Sequence, residues 1–171
     1  LTAIITMLIF VIGFNLVNQQ RRVQHKIDSD FSVDDPQFAR AASNLLSRPL
    51  CDGNRIDTLI NGSQYFPAML EAIRNAKHSI TFESFIYVSG EIGHQFSQAF
   101  IERCRAGVRV HVLCDFVGSW RMRKTHLKEL IDAGVNVELY RPPRLADLVH
   151  FTNRTHRKIL VIDGKIAFTG G

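Results

Sequence analysis

His156-Arg157-Lys158-Ile159-Leu160-Val161-Ile162-Asp163-Gly164-Lys165-Ile166-Ala167-Phe168-Thr169-Gly170-Gly171 is the stretch whose reading decides the fold. Residues 157–162 form an apolar, β-branched run that predicts a buried strand. Asp163-Gly164 is a two-residue hairpin signal, and residues 166–168 predict a second short strand. Side chains two apart on a strand share a face, so His156 and Lys158 are presented together at its start. An imidazole can attack or carry protons near neutral pH, and an ammonium beside it can hold non-bridging phosphate oxygens as negative charge builds. The pair suits a phosphodiester. Asp163 stands an odd number of residues from Lys158 and would face the other way on a regular strand, so it is given an orienting role through hydrogen bonds at the turn. Gly170 and Gly171, without a Cβ, would let backbone amides come close to an anion.

Upstream of this hairpin, strands alternate with helices. Helical spacing with Phe66, Met69, Leu70 and Ile73 predicts a helix over residues 65–77, and residues 79–88 predict a strand containing Glu83. A carboxylate within such a run needs a partner, because an unpaired buried charge is costly. A structural ion pair or simple exposure is the leading reading of Glu83, with support of the site behind it. An amphipathic helix over 92–105 closes at Gly107, a strand over 108–114 ends in Asp115, a helix over 124–133 closes at Gly134, and a strand over 135–140 follows. This rhythm predicts an α/β fold with a mostly parallel sheet covered by helices on both faces, and with ligands at the strand ends. Residues 55–60 alternate polar with apolar before Asn61-Gly62 and predict a short edge strand. Residues 141–157 break the rhythm with Pro142-Pro143 and carry Arg141, Arg144, His150, Arg154 and Arg157. They predict a loop that brings positive charge to the site, although a merely solvated basic loop fits them nearly as well.

A chain of 171 residues with 46% apolar and 22% charged residues has ordinary globular composition. Its net charge of +5 favours an anionic partner, and charge alone does not choose between lipid headgroups and nucleic acid. Cys51, Cys104 and Cys114 have neither zinc-ligand spacing nor an even count, so they are expected to be buried, reduced thiols. Residues 1–17 are almost uninterruptedly apolar, and Arg21, Arg22, His25 and Lys26 follow. The basic residues come after the apolar core and not before it, the reverse of a cleaved signal, which predicts an N-terminal transmembrane anchor with the globular part on the cytoplasmic side. Residues 18–53 are expected to be a juxtamembrane linker and a helix that packs on the domain, entered at Asp35-Pro36 and stopped by Pro49.

The spacing H-x-K-x4-D-x6-G-G, on His156, Lys158, Asp163, Gly170 and Gly171, resembles the signature of the phospholipase D superfamily. Gly62 to Ala76, Ile80 to Tyr87, Gly107 to Val110, Asp115 to Ser119 and Ala133 to Val135 extend the likeness to the amino-terminal half of bacterial cardiolipin synthases. The resemblance implies a phospholipase D-like half-domain over residues 54–171, in a phosphatidyltransferase that condenses two phosphatidylglycerol molecules to cardiolipin and glycerol through a phosphohistidine. It implies no metal or organic cofactor, a bacterial cell membrane location, a phospholipid partner in preference to nucleic acid, and a second motif supplied by a missing C-terminal half or a homodimer mate. The 171 residues alone are then expected to be truncated and inactive. Hydrolysis of phospholipid or nucleic acid, and a catalytically silent membrane-bound fragment, are the competing readings.

Overall fold

The computed structural model describes residues 2–17, 31–142 and 154–170. These fall into two compact units, Leu1–Asn18 with Leu59–Gly171, and Gln19–Thr58. The predicted linker over 18–30, most of the basic loop, with Arg144 and His150, and Gly171 lie outside the described residues.

The larger unit is built on five strands, β1 (Ser79–Ser84), β2 (Arg109–Asp115), β3 (Asn136–Tyr140), β4 (Lys158–Ile162) and β5 (Ile166–Thr169). Their order across the sheet is β3-β2-β1-β4-β5. Three helices, α3 (Gly62–Asn75), α4 (Glu91–Arg105) and α5 (Lys124–Asp132), accompany them. Two crossovers of the expected kind, β1-α4-β2 and β2-α5-β3, make parallel pairs. The sheet as a whole is mixed, because β4 runs antiparallel to β1 and β5 antiparallel to β4. This corrects the mostly parallel expectation. β4 begins at the end of the sheet where β1, β2 and β3 finish, so it runs in the opposite sense to them.

Register decides which side chains enter the core. Ile80, Phe82, Val110, Val112, Cys114, Leu160 and Ile162 alternate onto one face and are buried beneath Leu70, Ile73, Phe96, Ala99, Phe100 and Leu130 from the three helices. Thr81, His111, Asn136, Glu138 and Ala167, on the opposite face, are exposed. Coverage of both faces, the second expectation attached to a mostly parallel sheet, is not found among these residues. Helices α4 and α5 end as their sequences require: Gly107 and Gly134 follow the caps Ala106 and Ala133 with φ of +87° and +90°.

Three further expectations change. Residues 55–60 form no strand and are exposed, Ile56 at 91%. Alternation fixes sidedness only where a neighbouring strand accepts the backbone, and Asn61, at φ +68°, instead turns the chain into α3. That helix begins three residues earlier than its stripe predicts, so Pro67 lies inside it. Cys114 is buried, which pushes its thiol pKa up to about 12, whereas Cys51 is exposed.

In the smaller unit, α2 (Pro36–Leu46) starts as predicted, with the Gln37 amide donating to Asp35 Oδ1 at 2.7 Å. None of its side chains is buried. The N-terminal helix α1 (Thr2–Val17) has no charged residue, but at 16 residues no helix among the described residues is long and apolar enough to cross a membrane.

Candidate active site

β1 and β2 end, and β4 begins, at one edge of the sheet, and this edge collects the predicted chemistry. Ser84 pairs with Lys158, and Ile159 with Thr169, so the next step of the hairpin sets Gly170 beside Lys158. His156 lies in the extended segment just before β4 and is exposed. Lys158 Nζ stands 3.0 Å from His156 Nδ1, 3.0 Å from Nε2 and 2.9 Å from the His156 carbonyl oxygen. Imidazole and ammonium therefore converge on one point at an open edge. Phe85, immediately after β1, forms the floor: its ring centroid is 5.2 Å from that of His156 and 6.0 Å from Lys158 Nζ.

The segment that delivers His156 is pinned by two carboxylates from neighbouring strands. Asp115, at the end of β2, is 0% exposed. Its Oδ1 accepts from the amides of Val117 at 2.9 Å and Gly118 at 3.2 Å, and its Oδ2 accepts from the Thr155 amide at 3.1 Å. Arg154 Nη1 adds an ion pair at 3.7 Å. Glu83, from β1, accepts a hydrogen bond from Thr155 Oγ1 and pairs with Arg157 Nη1 at 3.8 Å. Residues 155 and 157 thus turn to the carboxylates, while 156 and 158 turn to Phe85 and to each other. The partner that Glu83 requires is found on both sides of the candidate histidine, so it supports the site as well as forming an ion pair. Gly118 completes the packing, since a Cβ there would collide with the Phe85 carbonyl oxygen.

Asp163 lies at the other end of β4, about 16 Å of strand away from Lys158. It does make turn hydrogen bonds, but with partners from β1's approach: the amide of Lys77 donates to Oδ2 at 2.8 Å, and those of His78 and Ser79 donate to Oδ1 at 2.7 and 2.8 Å. Asp163 and Gly164 have φ of +52° and +65°, as a type I′ hairpin turn needs. The structure does not bring this carboxylate to the His156–Lys158 pair; it closes the amino end of β1 onto the hairpin. The Ser79 amide first, then that of Lys77, holds the Asp163 pKa down to about 2 from 3.8. A group depressed on folding stabilises the fold above its unfolded pKa and loses that contribution as pH falls through the folded one. The stability gap between the native chain and Asp163→Asn is therefore expected to be full at pH 6 and to close between about pH 4 and pH 2, followed by urea unfolding.

Among the residues not read as functional from the sequence, a buried polar chain braces the loop after β1. Ser89 Oγ lies 2.9 Å from His126 Nδ1, His126 Nε2 lies 2.5 Å from Ser97 Oγ, and Ser97 Oγ lies 2.5 Å from Tyr87 Oη. Burial lowers the His126 pKa and raises that of Tyr87. A groove of about 700 Å³ between α4 and α5, lined by Gln98, Glu102, Arg105 and Glu129 among others, is remote from the His156 edge. Among the described residues no three His, Cys, Asp or Glu side chains lie together as a metal site would require.

Residues 69–171 match the family model described as cardiolipin synthase, PLD-like domain. A cardiolipin synthase of Alkalihalophilus pseudofirmus is 33% identical over 160 residues, covering 93% of this chain and 32% of that protein. Another, from Geobacillus sp. strain WCH70, is 43% identical over 131 residues, covering 76% of this chain and 26% of that protein. This chain thus spans about a third to a quarter of the length of these relatives. The crystal structure of Nuc, a phospholipase D family member from Salmonella typhimurium, aligns at 17% identity over 58% of each chain with a TM-score of 0.42, a likeness too loose to carry weight by itself. On the family match across 69–171 and the identities to cardiolipin synthases, this chain belongs to the phospholipase D-like domain family of the cardiolipin synthases.

Proposed function

We propose that this chain is the first catalytic half of a phosphatidyltransferase that makes cardiolipin from two molecules of phosphatidylglycerol. The observation that carries the proposal is the convergence of the His156 imidazole and the Lys158 ammonium, 3.0 Å apart, at an open sheet edge. In this mechanism one imidazole attacks phosphorus of the first phosphatidylglycerol, forming an N–P bond as the P–O bond to the glycerol headgroup breaks. A second imidazole gives that leaving oxygen a proton. The headgroup hydroxyl of the second phosphatidylglycerol then attacks the phosphohistidine, losing its proton to the second imidazole and freeing the first. Lys158 holds the non-bridging oxygens throughout, with the amides of Gly170 and Gly171 as further donors. His156 is one of the two imidazoles. The other belongs to a second motif, carried by a further half of the protein or by another copy.

Asp163 acts in this proposal through the hairpin, fixing the register of β4 and hence the place of Lys158. Residues 1–17 are assigned as a membrane anchor, since α1 is uncharged and Arg21, Arg22 and Lys26 follow it; these cations favour a cytoplasmic position for residues 54–171 in a bacterial cell membrane. Residues 18–53 link the two.

Incubation of the complete protein with phosphatidylglycerol labelled in its headgroup glycerol is expected to yield cardiolipin and free labelled glycerol in equal amounts. Phosphatidic acid with glycerol and no cardiolipin would instead make water the acceptor. No turnover of the lipid by the complete protein would sink the proposal. The 171-residue chain alone is expected to show little or no turnover.

A further inference from the structure

We propose that two loops beside the site, residues 85–91 and 116–124, dock on an anionic phospholipid surface, with Trp120 and Ile86 entering the headgroup layer and Arg121, Arg123 and Lys124 facing its phosphates. This rests on the reading of the site as one that takes phospholipid, and adds the surface through which the substrate is met.

Trp120 is 74% exposed, Ile86 60% and Val88 37%. Exposed apolar side chains are unremarkable when scattered, but these stand on adjoining loops. Gly118 lies against the Phe85 carbonyl so closely that a Cβ would not fit, and the Arg123 amide donates to Ser89 Oγ at 2.9 Å. The loops are therefore one braced surface, held from below by the Ser89–His126 contact. Phe85 is also the floor under His156, so the first of these loops starts at the place where a phosphate would be held.

The charge of the two loops selects the occupant. Arg121, Arg123 and Lys124 are exposed, and Glu91 is the single acidic residue in either segment. A large amphipathic aromatic ringed by cations is the combination that partitions to a bilayer interface carrying negative lipids. The geometry also answers a substrate problem. A diacyl lipid cannot leave the bilayer without exposing its chains to water, so a site acting on its phosphodiester must come down to headgroup level. Loops that dip beside His156 achieve this.

Trp120 is the one tryptophan of the sequence, so emission excited at the red edge, where tyrosine does not absorb, reports this surface alone. The 171-residue chain is mixed with phosphatidylcholine vesicles, with or without phosphatidylglycerol. Emission, quenching by aqueous iodide and quenching by brominated lipid chains are then recorded. Because α1 can hold the chain on either vesicle, the readout is the surroundings of Trp120 and not attachment. With phosphatidylglycerol present, emission is expected to move to the blue, iodide quenching to fall severalfold and brominated chains to quench. Arg121→Glu with Arg123→Glu, and separately Ile86→Asp, are expected to remove most of that response.

A Trp120 that stays open to iodide and untouched by brominated lipid on chain-bearing vesicles would overturn the proposal. So would a blue shift that appears without vesicles and grows with protein concentration, which would mean that another copy covers the face. Turnover of phosphatidylglycerol in detergent micelles by the complete protein separates the two claims. Turnover without docking leaves the catalytic reading standing, and docking without turnover leaves this one.

Discussion

Replacing His156 by alanine is expected to lower phosphatidyl transfer by the complete protein about a thousandfold or more, and Lys158→Ala by about a hundred- to a thousandfold. The magnitude for His156 holds in either of its possible roles. As nucleophile its loss removes the covalent route, and as proton carrier its loss leaves an alkoxide to depart without a proton. The lysine acts on charge: two non-bridging oxygens gain negative character in the transition state, and its ammonium meets them without reorganising. Both effects should fall on kcat more than on KM, because neither group is needed to hold the acyl chains. Neither substitution should unfold the protein, since His156 is exposed and Lys158 is half-exposed. Circular dichroism of the variants against the native chain checks that point, and headgroup release measures the loss.

Asp115→Ala is expected to lower stability by about 3 kcal/mol or more, seen as a fall of about 10 °C in the unfolding midpoint. The carboxylate is fully buried, and its removal leaves the amides of Val117, Gly118 and Thr155 without an acceptor and Arg154 without its buried anion. The Thr155 amide is buried, so leaving it without an acceptor costs more than the bond itself was worth. Asp115→Asn, which keeps an acceptor oxygen but not the charge, should fall between the two. An alanine variant melting within a degree or two of the native chain would show that the 116–119 turn and the approach to β4 do not depend on this carboxylate.

The hairpin that presents the site was legible because its signals are local. A β-branched run, Asp-Gly and a second short strand need only neighbours in sequence to specify β4, the turn and β5. The helix ends at Gly107 and Gly134 were legible for the same reason, since a left-handed C′ residue is a property of one position. The direction of β4 was not. Nothing between Lys158 and Ile162 states which strand it will lie against, and the preceding segment breaks the helix-strand alternation on which a parallel sheet was expected. The false strand over 55–60 failed similarly, as alternation describes sidedness without naming a partner.

Within the site, the local pair His156 and Lys158 could be read from a two-residue spacing, whereas the carboxylates that steer them could not. Glu83 was flagged by the cost of a charge in an apolar strand, but its partners Thr155 and Arg157 lie more than 70 residues on. Asp115 stood in the sequence as a strand's last residue; its grip on the Thr155 amide, 40 residues away, follows only from β1 lying between β2 and β4. For Asp163 the type of interaction was legible and the partners were not, because the amides of Lys77, His78 and Ser79 reach it through the antiparallel pairing of β1 with β4.

The central claim is that an imidazole and an ammonium act on one phosphoryl group as a unit, and a double-mutant cycle on turnover tests it most directly. Groups that serve one transition state together are not additive, so His156→Ala combined with Lys158→Ala should be scarcely slower than His156→Ala alone. Losses that multiply across the two substitutions, or native turnover in either single variant, would contradict the account.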